Sequence, residues 1–173
     1  MATRHIVLES DRFALTTWAA GDWRRFHELS GDPRITRYIR DGSPWDAVKT
    51  RDFVAQQIAN DAELGYCLWQ LRIKPALDID GLVGLQPFPE VSGVEIGWWL
   101  RPRLWGRGYA SEAGTAAMAH AFAACRLDSL YAVIQPDNAA SRRVAERLGM
   151  ALDHARDHRG IDVVIYRRDR PGG

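Results

Sequence analysis

The residues of this chain best placed to do chemistry lie between Arg101 and Phe122, in RPRLWGRGYASEAGTAAMAHAF. An apolar run ends at Leu100, a basic turn with Gly106 and Gly108 follows, and an alanine-rich run of helical character continues from it. The order is strand, glycine turn, helix. The first backbone N–H groups of a helix have no partner inside it, and the helix dipole places partial positive charge there, so such a turn holds anions. Glycines at 106 and 108 permit unusual dihedrals and let a phosphate approach the backbone. Arg101, Arg103 and Arg107 add charge around the turn. The chemistry indicated is the holding of a diphosphate or similar group. Two other interpretations of the spacing stand beside it. A glycine pair ahead of a helix also serves as a tight connection alone. Gly106-x-Gly108-x-x-Ser111 is one residue short of a dinucleotide fingerprint. Against that, Pro102 to Trp105 separate its glycines from the strand, and Asp128 precedes the next apolar run instead of following it.

One carboxylate stands out in the run before the turn, VEIGWWL. Strand alternation puts Glu95, Gly97 and Trp99 on one face and Val94, Ile96, Trp98 and Leu100 on the other. Glu95 is then beside aromatic surface, where partial desolvation raises a carboxyl pKa. A solvated strand glutamate is the plainer alternative.

The elements that must position these residues can be followed along the chain. Ile6 to Leu8 and Arg12 to Trp18 flank Ser10-Asp11 as two strands or one bent strand. Gly21-Asp22 caps WRRFHELSG, in which Trp23, Phe26 and Leu29 recur at helical spacing. After Asp32-Pro33 the segment RITRYIRDG is ambiguous, with Ile35, Tyr38 and Ile39 supporting a short helix. Ser43 as cap and Pro44 at the first helical position open a helix to about Leu64, with Val48, Phe53, Ile58 and Ala62 near one side. YCLWQLRI, LVGLQPF and VEIGWWL are then successive strands. Beyond the glycine turn and its helix, Leu127 to Ile134 is a buried strand, PDNAASRRVAERLG a capped helix closed by Gly149, and the remainder two strands joined through Asp157 to Gly160. Strands grouped first and helices inserted later favour a mixed α/β sheet of the α+β class over strict βα alternation.

Composition narrows the function classes. A chain of 173 residues with net charge +1 suits one ordinary domain with a sizeable core and argues against a general polyanion binder, so no direct nucleic-acid binding is expected. The N-terminal MATRHIVLESDR is broken by charge before an apolar stretch develops, and no segment approaches a membrane span. Cys67 and Cys125 form neither a secreted-type framework nor a metal knuckle. A cytoplasmic protein without a membrane partner is expected. Lys49 and Lys74 are the only lysines, so the basic surface is built from arginine and biased towards planar anions.

The stretches GVEIGWWLRPRLWGRGYASEA and QPDNAASRRVAERLGM, with GDPRITRYI upstream, resemble the GNAT superfamily of N-acetyltransferases, most closely the branch of the RimJ/RimL-type enzymes that acetylate ribosomal-protein N-termini. The resemblance covers nearly the whole chain. It implies a single GNAT-type domain over residues 1–173, with a splayed, mostly antiparallel central sheet of about seven strands flanked by about four helices. It also implies acetyl-CoA as donor, an amine as acceptor (a peptide N-terminus or a small molecule), and no metal; a homodimer is among the partners it allows. The family's pyrophosphate loop falls on Trp105, Gly106, Arg107, Gly108, Tyr109 and Ala110, with Ser111 following, and Trp105 departs from the usual Gln or Arg at the first position. The splayed strand that pairs with pantetheine amides would be Trp98, Trp99 and Leu100. Other branches protonate the departing thiolate with a tyrosine on the last helix, but seven residues after Asn138 this chain has Ala145.

Acetyl transfer to an amine needs a neutral nitrogen and a proton for the thiolate, and a general base within direct or one-water reach. Under the resemblance Glu95 is the base and Ser141, at the branch's Asn-x-x-Ser position, the proton donor. A hydrogen bond to backbone within the first turn is the ordinary role of a helix serine. Asn138 reads as a helix cap, and by resemblance it also touches the cofactor arm, as does Ser141. Both cysteines read as core thiols, not as an acetyl-cysteine nucleophile. His154 and His158, four apart, would suit a helical metal pair, but their segment reads as strand and turn. Trp45, Trp69, Trp98 and Trp99 are candidates for an acceptor groove, with core packing the default for each. The expected function is direct acetyl transfer in a ternary complex; the alternative is a catalytically weak acyl-CoA sensor on the same fold.

Overall fold

The computed structural model describes residues 4–172. Among these residues one eight-stranded sheet carries five α-helices. The chain runs β1 (Ile6–Glu9), β2 (Phe13–Thr16), α1 (Trp23–Ser30), a one-turn α2 (Pro33–Thr36), α3 (Ala47–Leu64), β3 (Leu68–Ile73), β4 (Ile79–Phe88) and β5 (Gly93–Leu100). It continues through α4 (Tyr109–Ala123), β6 (Ser129–Ile134), α5 (Ala139–Arg147), β7 (Ala151–His158) and β8 (Ile161–Asp169). The counts exceed the expected seven and four because the N-terminal run divides into two strands and the ambiguous segment after Asp32 forms a turn of helix. Sheet order is β1-β2-β3-β4-β5-β6-β8-β7, mixed and mostly antiparallel as expected.

The one parallel pairing is β5 with β6, and its register is confined to Glu95 opposite Tyr131. From Ile96 onward β5 continues without a registered partner on that side, while its other edge stays paired to β4 as far as Leu100 opposite Gly81. The sheet therefore opens at Glu95, and the β6-side edge of Trp98 to Leu100 is left free of the ladder.

The helix expected from Ser43-Pro44 starts later. Asp46 is its cap, its Oδ1 accepting from the Lys49 N–H at 2.7 Å, and the first helical residue is Ala47. Of its expected apolar side, Phe53 and Ile58 pack against the core, whereas Ala62 is exposed. Val48 is 57% exposed, whereas Thr50, Val54, Gln57 and Asn60 are buried. The Thr50 hydroxyl is satisfied inside, donating to the Asp46 carbonyl at 2.8 Å and 2.7 Å from the Ser30 hydroxyl. Apart from Val54 the buried stripe is made of hydroxyl and amide groups, which carry no hydrophobic period, so the apolar spacing located only part of the core-facing side. Among the described residues no helix is long and apolar enough to cross a membrane.

Candidate active site

Two cavities meet at Glu95. One, of 720 Å³, lies against α3 and β4 and is lined by Glu95, Gly97 and Trp99 from β5, with none of the alternate β5 residues. The other, a cleft of 690 Å³, adds Ile96, Trp98 and Leu100 together with the start of α4 and one side of α5. Tyr38, Ile39, Glu95, Gly97, Trp99 and Val133 line both. Strand alternation thus sorts β5 as expected, and the glycine at 97 leaves no side chain between the carboxylate and the Trp99 ring.

The Glu95 carboxyl is pushed up to about 7, first by burial and against the pull of hydrogen bonds from the Gln86 side chain and the Val133 backbone N–H. Gln86 stands directly opposite Glu95 in the β4–β5 ladder and donates from Nε2 to Oε2 at 2.7 Å. Its contribution was not read from the sequence, though the hairpin symmetry around Pro89 to Ser92 would have paired the two positions. Removing that donor takes away support for the charged form. Gln86→Leu is therefore expected to move the acidic limb of the pH–rate profile to higher pH, by up to about one unit. A limb that stays in place in a rate-versus-pH series would mean that this hydrogen bond does not tune Glu95.

In the cleft, Gly106 and Gly108 hold φ of +71° and +82°, and a Cβ at either would meet no atom within 4 Å. Gly108 caps α4, and the first helical bond is donated by the Glu112 N–H to the Gly108 carbonyl at 2.9 Å. The N–H groups of Tyr109, Ala110 and Ser111 precede that bond and have no intrahelical acceptor. The Ser111 hydroxyl in the same turn is buried without a hydrogen-bond partner among the described residues. A donor set with an orphaned hydroxyl at a positive helix end fits a diphosphate. Trp105, Gly106, Gly108, Tyr109, Ala110 and Ser111 all line the cleft, as do Trp98, Trp99, Leu100, Asn138 and Ser141; Arg107 is exposed and is not part of the wall. Trp105 is 52% exposed and its Nε1 donates to the Leu100 carbonyl at 2.8 Å, joining the turn to the strand end.

The charge expected from Arg101 and Arg103 is spent elsewhere. Arg103 and Arg101 both pair with Asp80, which is 1% exposed, and Arg101 also reaches Glu28 at 2.9 Å. These arginines fasten the turn to β4 and neither lines the cleft. A second brace comes from the β1–β2 turn. Arg12 lies 4.0 Å over the Tyr109 ring, donates to Glu112 at 2.8 Å and to the Arg107 carbonyl at 3.0 Å, and Ser10 donates to the other Glu112 oxygen at 2.9 Å. Arg12→Gln is expected to raise the KM for the cofactor about three- to fivefold while leaving kcat nearly unchanged, because only the loop's rigidity is lost. A kcat loss of equal size would assign Arg12 a different role.

Ser141 is among the residues that line the cleft. Its N–H donates to Asn138 Oδ1 at 3.1 Å, so Asn138 is the cap of α5. Its hydroxyl accepts from Trp98 Nε1 at 3.3 Å, which leaves its own proton free to donate. Ala145, at the position of the missing tyrosine, is fully buried in the core. Trp45 and Trp99 line the 720 Å³ cavity with their rings edge-on at 4.9 Å, whereas Trp69 is fully buried against His120. Burial pushes both cysteine thiols up, which leaves them without thiolate character. His154 and His158 sit on strand β7, where a spacing of four separates side chains by roughly 13 Å.

Residues 12–151 match the family model described as the acetyltransferase (GNAT) domain. The Bacillus subtilis N-acetyltransferase YnaD, itself uncharacterised, is 30% identical over 146 residues, spanning 83% of this chain and 81% of its own. A crystal structure of an acetyltransferase from Agrobacterium tumefaciens str. C58 shares the fold with a TM-score of 0.80 at 30% identity, covering 93% of this chain and 92% of that one. RimL, a ribosomal L7/L12 α-N-protein acetyltransferase solved with coenzyme A, shares it with a TM-score of 0.79 at 20% identity, over 95% and 98%.

Proposed function

Because this chain belongs to the GNAT acetyltransferase family, we propose that it acetylates a primary amine by direct transfer, with Glu95 as general base. The observation that carries this reading is the carboxylate, held near 7, where the two cavities meet. Acetyl-CoA would supply the activated acetyl thioester. The residues fitted to hold it are the N–H groups of Gly108 to Ser111 at the diphosphate and the open edge of Trp98 to Leu100 along the pantetheine arm. The acceptor occupies the cavity on the α3 side, whose 720 Å³ suits a small amine or the first residues of a peptide.

Glu95 removes the proton that the amine must lose, directly or through one water. The magnitudes favour an α-amine. From an α-amino group with a pKa near ~8 to a carboxylate near 7 the transfer is uphill by about one unit, and from an alkyl amine near ~10 by about three. Ser141, with its proton free, donates to the departing sulfur. Ser141→Ala is expected to lower kcat about tenfold with little change in cofactor affinity, since the indole of Trp98 and water remain nearby. An unchanged kcat would leave Ser141 as a positioning contact of Trp98.

The test is release of free coenzyme A from acetyl-CoA on mixing with a panel of short peptides and small amines. Amine-dependent release establishes the transferase. Tight acetyl-CoA binding with no release above hydrolysis for any acceptor would favour the sensor alternative.

A further inference from the structure

The 720 Å³ cavity has a hydrogen-bonding polarity. Around Glu95 the unengaged groups are acceptors. Gln86 gives its Nε2 to the Glu95 carboxylate at 2.7 Å, and Gln135 gives its Nε2 to the Arg40 carbonyl at 2.9 Å. An ionised carboxylate and a carbonyl only accept, so both amides are fixed in orientation. Each leaves its Oε1 without a donor among the described residues, and both residues line the cavity. Such a set suits the N–H groups of an amine.

Towards α3 the unengaged groups are donors. Gln57 is 2% exposed, and its Oε1 accepts from the Leu68 N–H at 3.0 Å, which fixes the amide and leaves Nε2 without an acceptor among the described residues. Trp45 is 6% exposed, and its Nε1 is buried with no hydrogen-bond partner among them. Lys49 lies over that indole, 4.9 Å from the ring centroid, and forms no ion pair among them. All three residues line the cavity. The remaining wall charges are engaged. Arg159 pairs with Glu90 at 2.9 Å, and the charge of Arg40 acts on Glu95 against its burial. Asp41, which is exposed, is held low first by the Ser43 N–H at 3.1 Å, with the charge of Lys49 adding to it.

A buried donor without an acceptor is costly, and one beside a cation is satisfied by an anion. The spacing of the two ends sets the size of the ligand. Trp99 is four residues along β5 from Glu95, about 13 Å by strand rise, and its ring lies 4.9 Å from that of Trp45. Allowing a contact of about 3 Å at each end, the ligand's amine and anion are roughly 7–10 Å apart, the span of two to three extended residues. We infer that Lys49 and the Trp45 Nε1–H form a carboxylate subsite, and that the acceptor is a peptide-like amine carrying a carboxylate two to three residue lengths from its nitrogen. This rests on the acetyl-transfer reading of the cavity. The lysine gives such a carboxylate a charge-assisted hydrogen bond, and the carboxylate gives the indole the acceptor it lacks. Gln57 Nε2, the other buried donor, suits a peptide carbonyl between the two ends.

Coenzyme A release by the full chain at about pH 9, where α-amines are mostly neutral, tests it with two matched pairs of peptides. One pair is Ala-Ala-Phe and its C-terminal amide; the other is Ala-Glu-Phe amide and Ala-Gln-Phe amide. The wild type is expected to show a kcat/KM about tenfold higher for the acidic member of at least one pair, chiefly through KM. The pair that discriminates tells a chain-terminal carboxylate from a side-chain one. Lys49→Gln and Trp45→Phe are each expected to shrink that ratio towards one, and Lys49→Arg to keep it. Residual turnover of the uncharged peptide shows that a variant is folded. Ratios near one for both pairs in the wild type overturn the proposal, as does a preference that survives Lys49→Gln combined with Trp45→Phe. Turnover of benzylamine with none of the four peptides accepted overturns it as well, and leaves the transferase standing. No release with any amine would instead overturn the transferase reading, and this subsite with it.

Discussion

Glu95→Gln is expected to lower kcat by about two to three orders of magnitude at neutral pH, the usual size of a general-base contribution. The shape of the pH dependence is the sharper readout. In the wild type, kcat/KM should fall as pH drops through about 7 because Glu95 takes up a proton, in addition to the fall caused by protonation of the amine itself. In the variant only the amine's limb remains. A profile and turnover unchanged by the substitution would remove Glu95 from the mechanism.

The same substitution should act on stability in the opposite sense. The folded-state pKa of Glu95 lies above the value of about 4.3 for an unfolded chain, so the folded protein binds the proton more tightly. Its contribution is therefore fully present below the unfolded pKa and is lost as pH rises through about 7. Glutamine avoids that loss. Above pH 7 the variant is expected to be more stable than the wild type by about 2 kcal/mol, after discounting for the partial exposure of the residue, and near pH 4 by close to nothing. Urea unfolding at the two pH values measures both. A variant that gains stability while losing turnover would mark Glu95 as held in a costly environment for the sake of its chemistry.

Gly108→Glu is expected to weaken acetyl-CoA binding by at least about a hundredfold. It places a carboxylate at the mouth of a site built from N–H groups. The left-handed φ of +82° also strains any side chain there, although a Cβ itself meets no neighbour. Gly108→Ala separates the two effects, because it carries the strain, about 1 kcal/mol, without the charge. If Gly108→Glu binds acetyl-CoA as well as Gly108→Ala does, the turn is not the phosphate anchor.

The legible parts of this protein were those governed by short-range rules. Strand alternation sorted Glu95, Gly97 and Trp99 from Ile96, Trp98 and Leu100, and only the first three reach the cavity on the α3 side, while all six line the cleft. Asn138 was readable as a cap because a cap acts on N–H groups two or three residues away. The glycine turn was readable because only glycine holds φ near +71° and +82° without strain.

Other features depended on pairings that no local pattern carries. The arginines flanking the glycine turn looked like phosphate ligands until the fold brought Asp80, more than twenty residues earlier, against Arg101 and Arg103. Arg12 braces Glu112 across a separation of 100 residues. The polar face of α3 escaped a hydrophobic period because its hydroxyl and amide groups are satisfied by Ser30, Leu68 and each other. By itself, then, the sequence determined most of the elements, the glycine turn and the face of β5 that Glu95 occupies. Tertiary structure decided which charges stay free and how Glu95 is tuned, since burial and the partner from β4 exist only once the sheet has formed. Dihedral preference and side-chain periodicity act over a few residues, whereas desolvation and ion pairing depend on whatever the folded chain places within a few ångströms.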